Sequence, residues 1–370
     1  MFPTETGIKP SARINVTPNL FRGLLCMLIR QPFLFSFQIK LIKGKSMKNL
    51  KRIFTAVLAL SFVLFVSCAT TSTGTKTAKQ KATLEKTSER MLWKISGTDK
   101  NGNPSAIYVQ GTIHVGDERL VVSDNVKKLF LSADRRIGEI SSADYPKIEA
   151  KTAEMMIEGA KNAALENKDF RNDLSEEHNE MLRSLMQEES TTQYAMFEPW
   201  VLNLVLSMTA IGDAGLDPTR ALDSYFIDYA QENSLSTEGL DSLETQLDIV
   251  KFGSWNDQVE MLAETIESLG SVEKREEAAQ EIIDMYEAYI DDDVAKLSKV
   301  IDKSQIAETA IEKRYNKLLW QDRNAAWAKL FAEYLNEGGT TFVFAGCGHF
   351  TGKNSVFNEM QKNKTLTINK

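Results

Sequence analysis

Two stretches of the sequence share one pattern, AIYVQGTIHVGDERL at Ala106–Leu120 and TTFVFAGCGHFTG at Thr340–Gly352. In each, a run of β-branched and aromatic residues leads into a Gly-x-x-His segment, Gly111–His114 in the first and Gly346–His349 in the second. Apolar runs bounded by glycines predict buried strands, and a glycine at a strand end lets the backbone turn sharply. We therefore predict two strands that end in matched histidine turns.

The histidines of these turns, His114 and His349, are two of only three in the chain. Imidazole is the commonest metal ligand and the side chain most readily poised as a base near neutral pH. Their matched settings predict one shared site, in which a common metal would require the two rings to lie within about 10 Å of each other. The third histidine, His178, lies in a charged helical pattern without a second histidine four residues away, so we leave it out of the site.

The rest of the pattern predicts an α/β (α+β) fold. A hairpin turning at Asn101-Gly102 precedes the first motif, a helix over Asp124–Ala133 follows it, and a short strand then ends at Glu139. From about Pro146 to Leu335 apolar residues recur at helical spacing, including one long helix over 311–335. We expect a small central mixed β-sheet carrying both motifs on neighbouring strand ends, built from two related β-rich halves that face each other. The mostly helical middle section flanks and caps this sheet.

Charge is distributed unevenly along the 370 residues. Residues 1–67 hold 10 of the 44 lysines and arginines but only one of the 51 aspartates and glutamates, so the rest of the chain is strongly acidic. An acidic domain without a basic stripe binds the phosphate backbone poorly. We therefore expect no nucleic-acid partner.

The N-terminal region predicts an exported, lipid-anchored protein. Residues 47–67 combine basic residues with an apolar stretch too short for a membrane span, which is typical of a signal peptide, and Cys68 follows as the expected lipidation site. Residues 1–46 would then be an upstream extension outside the mature protein, residues 68–90 a flexible tether, and residues 91–370 the folded domain. We expect attachment to a bacterial membrane on its periplasmic or cell-surface side. Cleavage elsewhere, or an uncleaved anchor, is the alternative.

Several short motifs, in this order and spacing, resemble the TraB/GumN family, which includes the Tiki-type metalloproteases and lies near ChaN-type proteins. They are Gly111–His114, Glu139, GLDSLETQL from Gly239, DRNAAW from Asp322, and Gly346–His349. The family commonly has Gly-Leu-Glu where this chain has Asp241, a shorter carboxylate.

The resemblance implies a metal-dependent hydrolase, a Tiki-like peptidase acting on a peptide or protein. A divalent ion (Mn, Co or Zn) would be held by His114 and His349, with Glu139 as a third ligand or the general base and Arg323 stabilising the tetrahedral intermediate. The remaining residues expected to contact substrate or support the site are Gly111, Gly346, Gly348, Asp241 and Asn324.

Other functions stay open on the sequence. A metal-free hydrolase could use one histidine as the base and the other, with the arginine, as electrophiles. A non-catalytic lipoprotein of the ChaN or TraB type could bind haem or another ligand, or act as an interaction protein. Cys347 stands beside the second histidine, but at a variable position of the motif, so we interpret it as a small strand-end residue. The sequence contains no Gly-x-Ser-x-Gly elbow, phosphate loop or dinucleotide fingerprint.

Overall fold

A computed structural model describes residues 82–368 of the chain. Within these residues seven strands form one mixed sheet: β1 Ala82–Lys86, β2 Leu92–Thr98, β3 Pro104–Thr112, β4 Arg135–Gly138, β5 Glu238–Gly239, β6 Gly339–Gly346 and β7 Leu366–Ile368. Their order across the sheet is β5-β4-β6-β3-β2-β1-β7. The predicted mixed sheet is therefore confirmed.

The two motif strands, β3 and β6, are parallel neighbours, with Val109 opposite Val343. On the other side of β6, strands β4 and β5 continue the parallel arrangement, whereas β2 pairs with β3 in the predicted antiparallel hairpin. The prediction of neighbouring strand ends is confirmed. The prediction of two facing β-rich halves is wrong, because both motifs belong to one continuous sheet.

Helices make up most of the chain between β4 and β6, as predicted. Within residues 82–368 the α-helices are α1 Asp124–Ser132, α2 Ile148–Leu165, α3 Glu176–Leu185, α4 Glu188–Tyr194, α5 Pro199–Asp213, α6 Leu222–Glu232, α7 Leu243–Val250, α8 Trp255–Leu269, α9 Val272–Ile290, α10 Val294–Ser304, α11 Ala310–Asn316, α12 Arg323–Glu337 and α13 Val356–Lys362. No helix among these described residues has the length and apolarity needed to cross a membrane.

The sheet is covered on both faces, which explains the continuous apolar run of β6. Phe342 and Phe344 of this strand are buried against α1 and α6. The ring of Phe130 lies 5.4 Å from that of Phe342, and the ring of Phe226 lies 5.2 Å from that of Phe344. Central parallel strands have no solvated face, so their sequences do not alternate between polar and apolar residues.

The folded part begins earlier than predicted. Strand β1 lies inside the stretch expected to be a tether, and it pairs with both β2 and β7. Its side chains alternate as in a half-buried strand, with Ala82 and Leu84 buried and Thr83 and Glu85 exposed. The strand was missed because a five-residue alternation beside a Thr- and Lys-rich segment is a weak strand signal. The signal peptide and Cys68 lie outside the described residues.

The helix predicted over 311–335 is interrupted. Helices α11 and α12 are joined by a π-helical turn at Lys317–Asp322. A π turn uses more residues than an α turn, so every later side chain points in a different direction from the one that regular helical spacing gives. Arg323 and Asn324, the first residues of α12 after this turn, are completely buried.

Candidate functional site

Four parallel strands end at one edge of the sheet, and each is followed by a predicted site residue. His114 follows β3, Glu139 follows β4, Asp241 follows β5 and His349 follows β6. The carboxyl edge of a parallel sheet is where such folds place their ligands. The topology therefore brings together residues that are far apart in the sequence.

His114 is positioned by a carboxylate that the sequence did not single out. Its Nδ1 atom lies 2.8 Å from Oδ2 of Asp223, in the first turn of α6, and both side chains are 15% exposed. Thr112 donates a hydrogen bond of 2.7 Å to the other oxygen of Asp223. Burial disfavours the charged form of both groups, but their mutual attraction prevails, raising the pKa of His114 and lowering the pKa of Asp223.

Glu139 is buried and held at both oxygens. Its Oε1 atom accepts a hydrogen bond of 2.6 Å from the backbone N–H of Gly346, and its Oε2 atom accepts one of 2.6 Å from Arg323. Burial raises the pKa of Glu139, although the positive charge of Arg323 opposes this. A carboxylate oxygen has two lone pairs, so each keeps one for a further partner.

His114, Glu139 and Asp223 form a group that fits a divalent cation. Each offers one donor atom, and these atoms all lie within 4.8 Å of one another. Imidazole and carboxylate donors suit ions such as Zn²⁺ and Mn²⁺. Gly346 keeps space beside them, because a Cβ atom there would lie 3.1 Å from Oε1 of Glu139 and 3.3 Å from Nε2 of His114.

Arg323 lies behind this group and is bound on several sides. Its Nε atom donates to Oδ2 of Asp241 at 3.0 Å, its Nη2 atom donates to Glu139, and Nη2 also forms an ion pair with Oδ2 of Asp241 at 2.9 Å. Its Nη1 atom lies 2.7 Å from Nε2 of His349 and donates to the carbonyl of Leu319 at 3.3 Å. Four of its five N–H groups form hydrogen bonds with described residues, and Arg323 is completely buried. The predicted contact of Arg323 with a tetrahedral intermediate stays a prediction.

Asp241 binds Arg323 and is itself held by a second partner. Its Oδ1 atom accepts a hydrogen bond of 2.8 Å from the indole of Trp327, and the guanidinium of Arg323 lies 4.5 Å from the centre of the same indole. Burial raises the pKa of Asp241 to about 6, despite the opposing charge of Arg323.

His349 lies close to His114 but has different partners. A Cβ atom on Gly346 would lie 3.3 Å from Nε2 of His114 and 3.7 Å from Cδ2 of His349, so the two rings border the same small space and meet the predicted distance limit. However, Nε2 of His349 faces Arg323, and its Nδ1 lies 2.6 Å from Oδ1 of Asn324. Burial and the charge of Arg323 hold the pKa of His349 well below its usual range. In the group that fits a cation, Asp223 therefore stands where His349 was predicted.

The other expected site residues have packing roles. A Cβ atom on Gly111 would lie 2.9 Å from Cβ of Cys347, so this glycine allows the two motif segments to pack closely. Gly348 faces the indole of Trp320 in the same way. Burial raises the pKa of the Cys347 thiol to about 12, and a thiol that stays protonated is a poor nucleophile.

Sequence reasoning missed Asp223 and its partner Thr112. Thr112 lies inside the first motif, and its position two residues before His114 was the available signal. Asp223 follows Leu222 in a helix whose apolar stripe was recognised, but nothing in the sequence separates it from Asp228, an exposed residue of the same helix.

Comparison with known proteins identifies the family of this chain. The sequence model of the TraB/PrgY/gumN family matches residues 91–367. An uncharacterized protein of Treponema pallidum (strain Nichols) is 30% identical over 287 residues, which cover 75% of this chain and 82% of that protein. No solved structure matches. The family match spans all four strand ends that carry the site, and the chain belongs to the TraB/PrgY/gumN family.

Proposed function

We propose that this protein is a metal-dependent hydrolase whose divalent cation is held by His114, Glu139 and Asp223. The observation that carries the proposal is the grouping of these three donors within 4.8 Å at the carboxyl edge of the sheet. His114 and Asp223 are partly exposed, whereas Arg323 and His349 behind them are buried. Substrate and water would therefore approach from the side of His114.

A bound divalent cation would supply Lewis acidity, which polarises a carbonyl group and acidifies water. The chain's own residues prepare the site for this chemistry. The contact of 2.8 Å between Nδ1 of His114 and Oδ2 of Asp223 holds these two donors side by side. Glu139 is fixed by Gly346 and Arg323, and its remaining lone pairs can accept a proton from water. Its raised pKa brings it nearer to neutrality, which suits a general base.

The finer parts of the proposal rest on resemblance and on the N-terminal sequence. The resemblance to Tiki-type proteins supports peptide or protein substrates. The apolar stretch after Met47 and the cysteine that ends it support export and lipid attachment at Cys68. The protein would then act as a membrane-tethered hydrolase on the outer side of a bacterial membrane.

The metal proposal is tested by metal analysis of the purified full chain. We expect about one equivalent of Mn, Co or Zn in the wild type and in His178→Ala, a matched histidine change outside the site, and its loss in His114→Ala. Hydrolysis of a peptide library should stop with a chelator and return with the metal. Metal content unchanged in His114→Ala would contradict the proposal. Activity that survives the chelator but not His114→Ala would instead support the metal-free hydrolase.

The membrane proposal is tested separately in cells fed a labelled fatty acid. We expect label in the full-length protein and none in Cys68→Ser, with Cys347→Ser as the control that keeps the label. Equal labelling of wild type and Cys68→Ser would contradict lipidation at Cys68.

The haem-binding alternative gains no support from the site. It relies on histidines ligating iron, and both ring nitrogens of His349 already face Arg323 and Asn324. The absence of a Soret band after adding haemin to the purified protein would be consistent with this interpretation.

A further inference from the structure

We infer that His349, the histidine of the second motif, is a positioning residue that holds Arg323 against Glu139 and neither binds the metal nor transfers a proton. The inference rests on the proposed function in one respect, since Glu139 is the group that is ultimately positioned. It is carried by the hydrogen bonds around the His349 ring, which fix the location of its single proton.

The first step concerns Asn324, which is completely buried. Its Nδ2 atom donates to the backbone carbonyl of Asn354, so the orientation of the amide is determined. The Oδ1 atom of Asn324 must then face His349, and it lies 2.6 Å from Nδ1 of that ring. An amide oxygen can only accept a hydrogen bond. The proton of His349 is therefore on Nδ1.

The second step concerns the other ring nitrogen. A neutral imidazole that carries its proton on Nδ1 has a lone pair on Nε2. Arg323 points an N–H group at this atom from 2.7 Å, and a guanidinium has no acceptor to offer in return. The lone pair that a metal ion would need is thus already used by Arg323. A proton on Nε2 would bring two donors face to face.

The third step concerns the surroundings of the ring. The ring of His349 lies 4.9 Å from that of Trp320 and 4.4 Å from that of Trp327, measured between centroids, and its side chain is 4% exposed. Rotation of the imidazole towards His114 would require these indoles to move and would break both of its hydrogen bonds. The packing of the two indoles therefore keeps the His349 ring in the orientation that its hydrogen bonds require.

The consequence of this arrangement falls on Glu139. Arg323 is fixed by Asp241 at Nε and by His349 at Nη1, and a planar guanidinium held at two of its nitrogens has a determined direction at the third. That third nitrogen, Nη2, donates to Oε2 of Glu139. Loss of the acceptor at His349 would leave a buried N–H without a partner and allow the guanidinium to turn away from Glu139.

Two variants separate a positioning role from a ligand role. His349→Gln keeps an amide oxygen as the acceptor for Arg323, whereas His349→Phe keeps the ring shape without an acceptor. We expect His349→Gln to bind Mn²⁺ within about threefold of the wild-type affinity and to retain kcat. We expect His349→Phe to lower kcat at least tenfold with little change in KM, because a misdirected Glu139 affects the chemical step more than substrate binding. Loss of Mn²⁺ binding in His349→Gln, to the extent seen in His114→Ala, would overturn the inference.

A spectroscopic test decides the matter even if the protein does not hydrolyse peptides. The full chain has only three histidines, so ¹⁵N-histidine labelling gives a spectrum that can be assigned with His178→Ala and His114→Ala. We expect His349 to show a neutral ring protonated on Nδ1, with no change on addition of Zn²⁺, while the signals of His114 shift. Signals of His349 that show protonation on Nε2, or that shift with Zn²⁺ as those of a ligand, would overturn the inference. If His114 does not respond to Zn²⁺, the proposed metal site fails, but the state of His349 still tests this inference.

Discussion

The two Gly-x-x-His motifs end on neighbouring parallel strands, yet they place their histidines in opposite environments. His114 is partly exposed beside a carboxylate, and its pKa is raised. His349 is buried against a guanidinium, and its pKa is lowered. The shared pattern therefore specifies the backbone, which consists of a buried strand, a glycine and a turn, whereas the partner of each ring specifies its chemistry.

Those partners come from two different helices. Helix α6 begins close to the first motif, because the N–H of Leu222 donates to the carbonyl of Ile113 at 2.9 Å, and this contact brings Asp223 beside His114. Helix α12 begins with Arg323 directly after the π turn and faces the second motif. The difference between the two histidines teaches that a repeated motif need not have a repeated role. Four changes test this comparison.

The largest effect is expected from Arg323→Met, which removes the cation on the buried side. Glu139 and Asp241 would be left as buried carboxylates without their partner. We expect the free energy of unfolding, measured with urea, to fall by about 3–5 kcal/mol. Arg183→Met is the matched control, because Arg183 is 48% exposed and pairs with Glu176 at the surface. It should change stability by less than about 1 kcal/mol. Similar losses in the two variants would contradict the buried charge network.

The next effect concerns His114, the partly exposed histidine, and its neighbour Asp223. In Asp223→Asn the ring of His114 loses its anionic neighbour and the cation loses one of its proposed donors. We expect the affinity for Mn²⁺, measured by calorimetry, to fall about 10–100-fold. Asp228→Asn, on the exposed face of the same helix, should leave the affinity unchanged. An unaltered affinity in Asp223→Asn would show that this carboxylate belongs to the fold and not to the site.

A smaller effect is expected from Gly346→Ala, in the space between the two rings. The new methyl group would lie 3.1 Å from Glu139 and 3.3 Å from His114, so both must shift by a few tenths of an ångström. We expect a loss of about 1–3 kcal/mol in the free energy of unfolding and a weaker affinity for Mn²⁺. Gly212→Ala is the control, because a Cβ atom there meets nothing within 4 Å and lies in helix α5. That variant should be neutral or more stable by up to about 1 kcal/mol.

The smallest effect at any one pH step is a pH dependence on the buried side. The pKa of Asp241 is raised from 3.8 to about 6, so the folded state binds this proton more tightly than the unfolded state does. Its contribution to stability is therefore fully present below the unfolded pKa and is lost as the pH rises through about 6. Asp241→Asn cannot ionise. Between pH 3.8 and about 6 the free energy of unfolding of the wild type should fall with rising pH more steeply than that of Asp241→Asn. The two slopes should differ by up to about 1.4 kcal/mol per pH unit.

Urea unfolding across the range from pH 4 to 7 measures this difference. Asp228→Asn should follow the wild-type slope, because Asp228 is exposed. Identical slopes in the wild type and Asp241→Asn would show that Asp241 ionises in the folded state as easily as in the unfolded chain.

The sequence was a good guide wherever local patterns determine the structure. The hairpin before the first motif, helix α1, and the pairing of the two motif strands are all confirmed. Each depends on short-range signals: a turn dipeptide, apolar residues at helical spacing, and apolar runs long enough to be central strands. The same signals placed His114, Glu139 and His349 at strand ends, where a parallel sheet brings them together.

The remaining features depend on contacts between distant segments. Nothing near Asp223 shows that its helix will begin beside the first motif, so only the folded chain distinguishes it from Asp228. The burial of Arg323 depends on its hydrogen bonds to Glu139, Asp241 and His349, which follow three different strands. The roles of the two histidines were interchangeable in the sequence, because their hydrogen-bond partners lie on helices far from them along the chain.

The position of β6 in the sheet has a consequence for how the protein matures. This strand lies between β3 and β4, which both precede it by about 200 residues in the chain. Until β6 has been synthesised and inserted, β3 and β4 have no common neighbour and both present open edges that can pair with other chains. The same strand ends at Gly346, whose backbone N–H donates a hydrogen bond to Glu139. The centre of the sheet and the candidate site are therefore completed in a single late step, so a chain truncated before β6 would be prone to aggregation and would lack the assembled site.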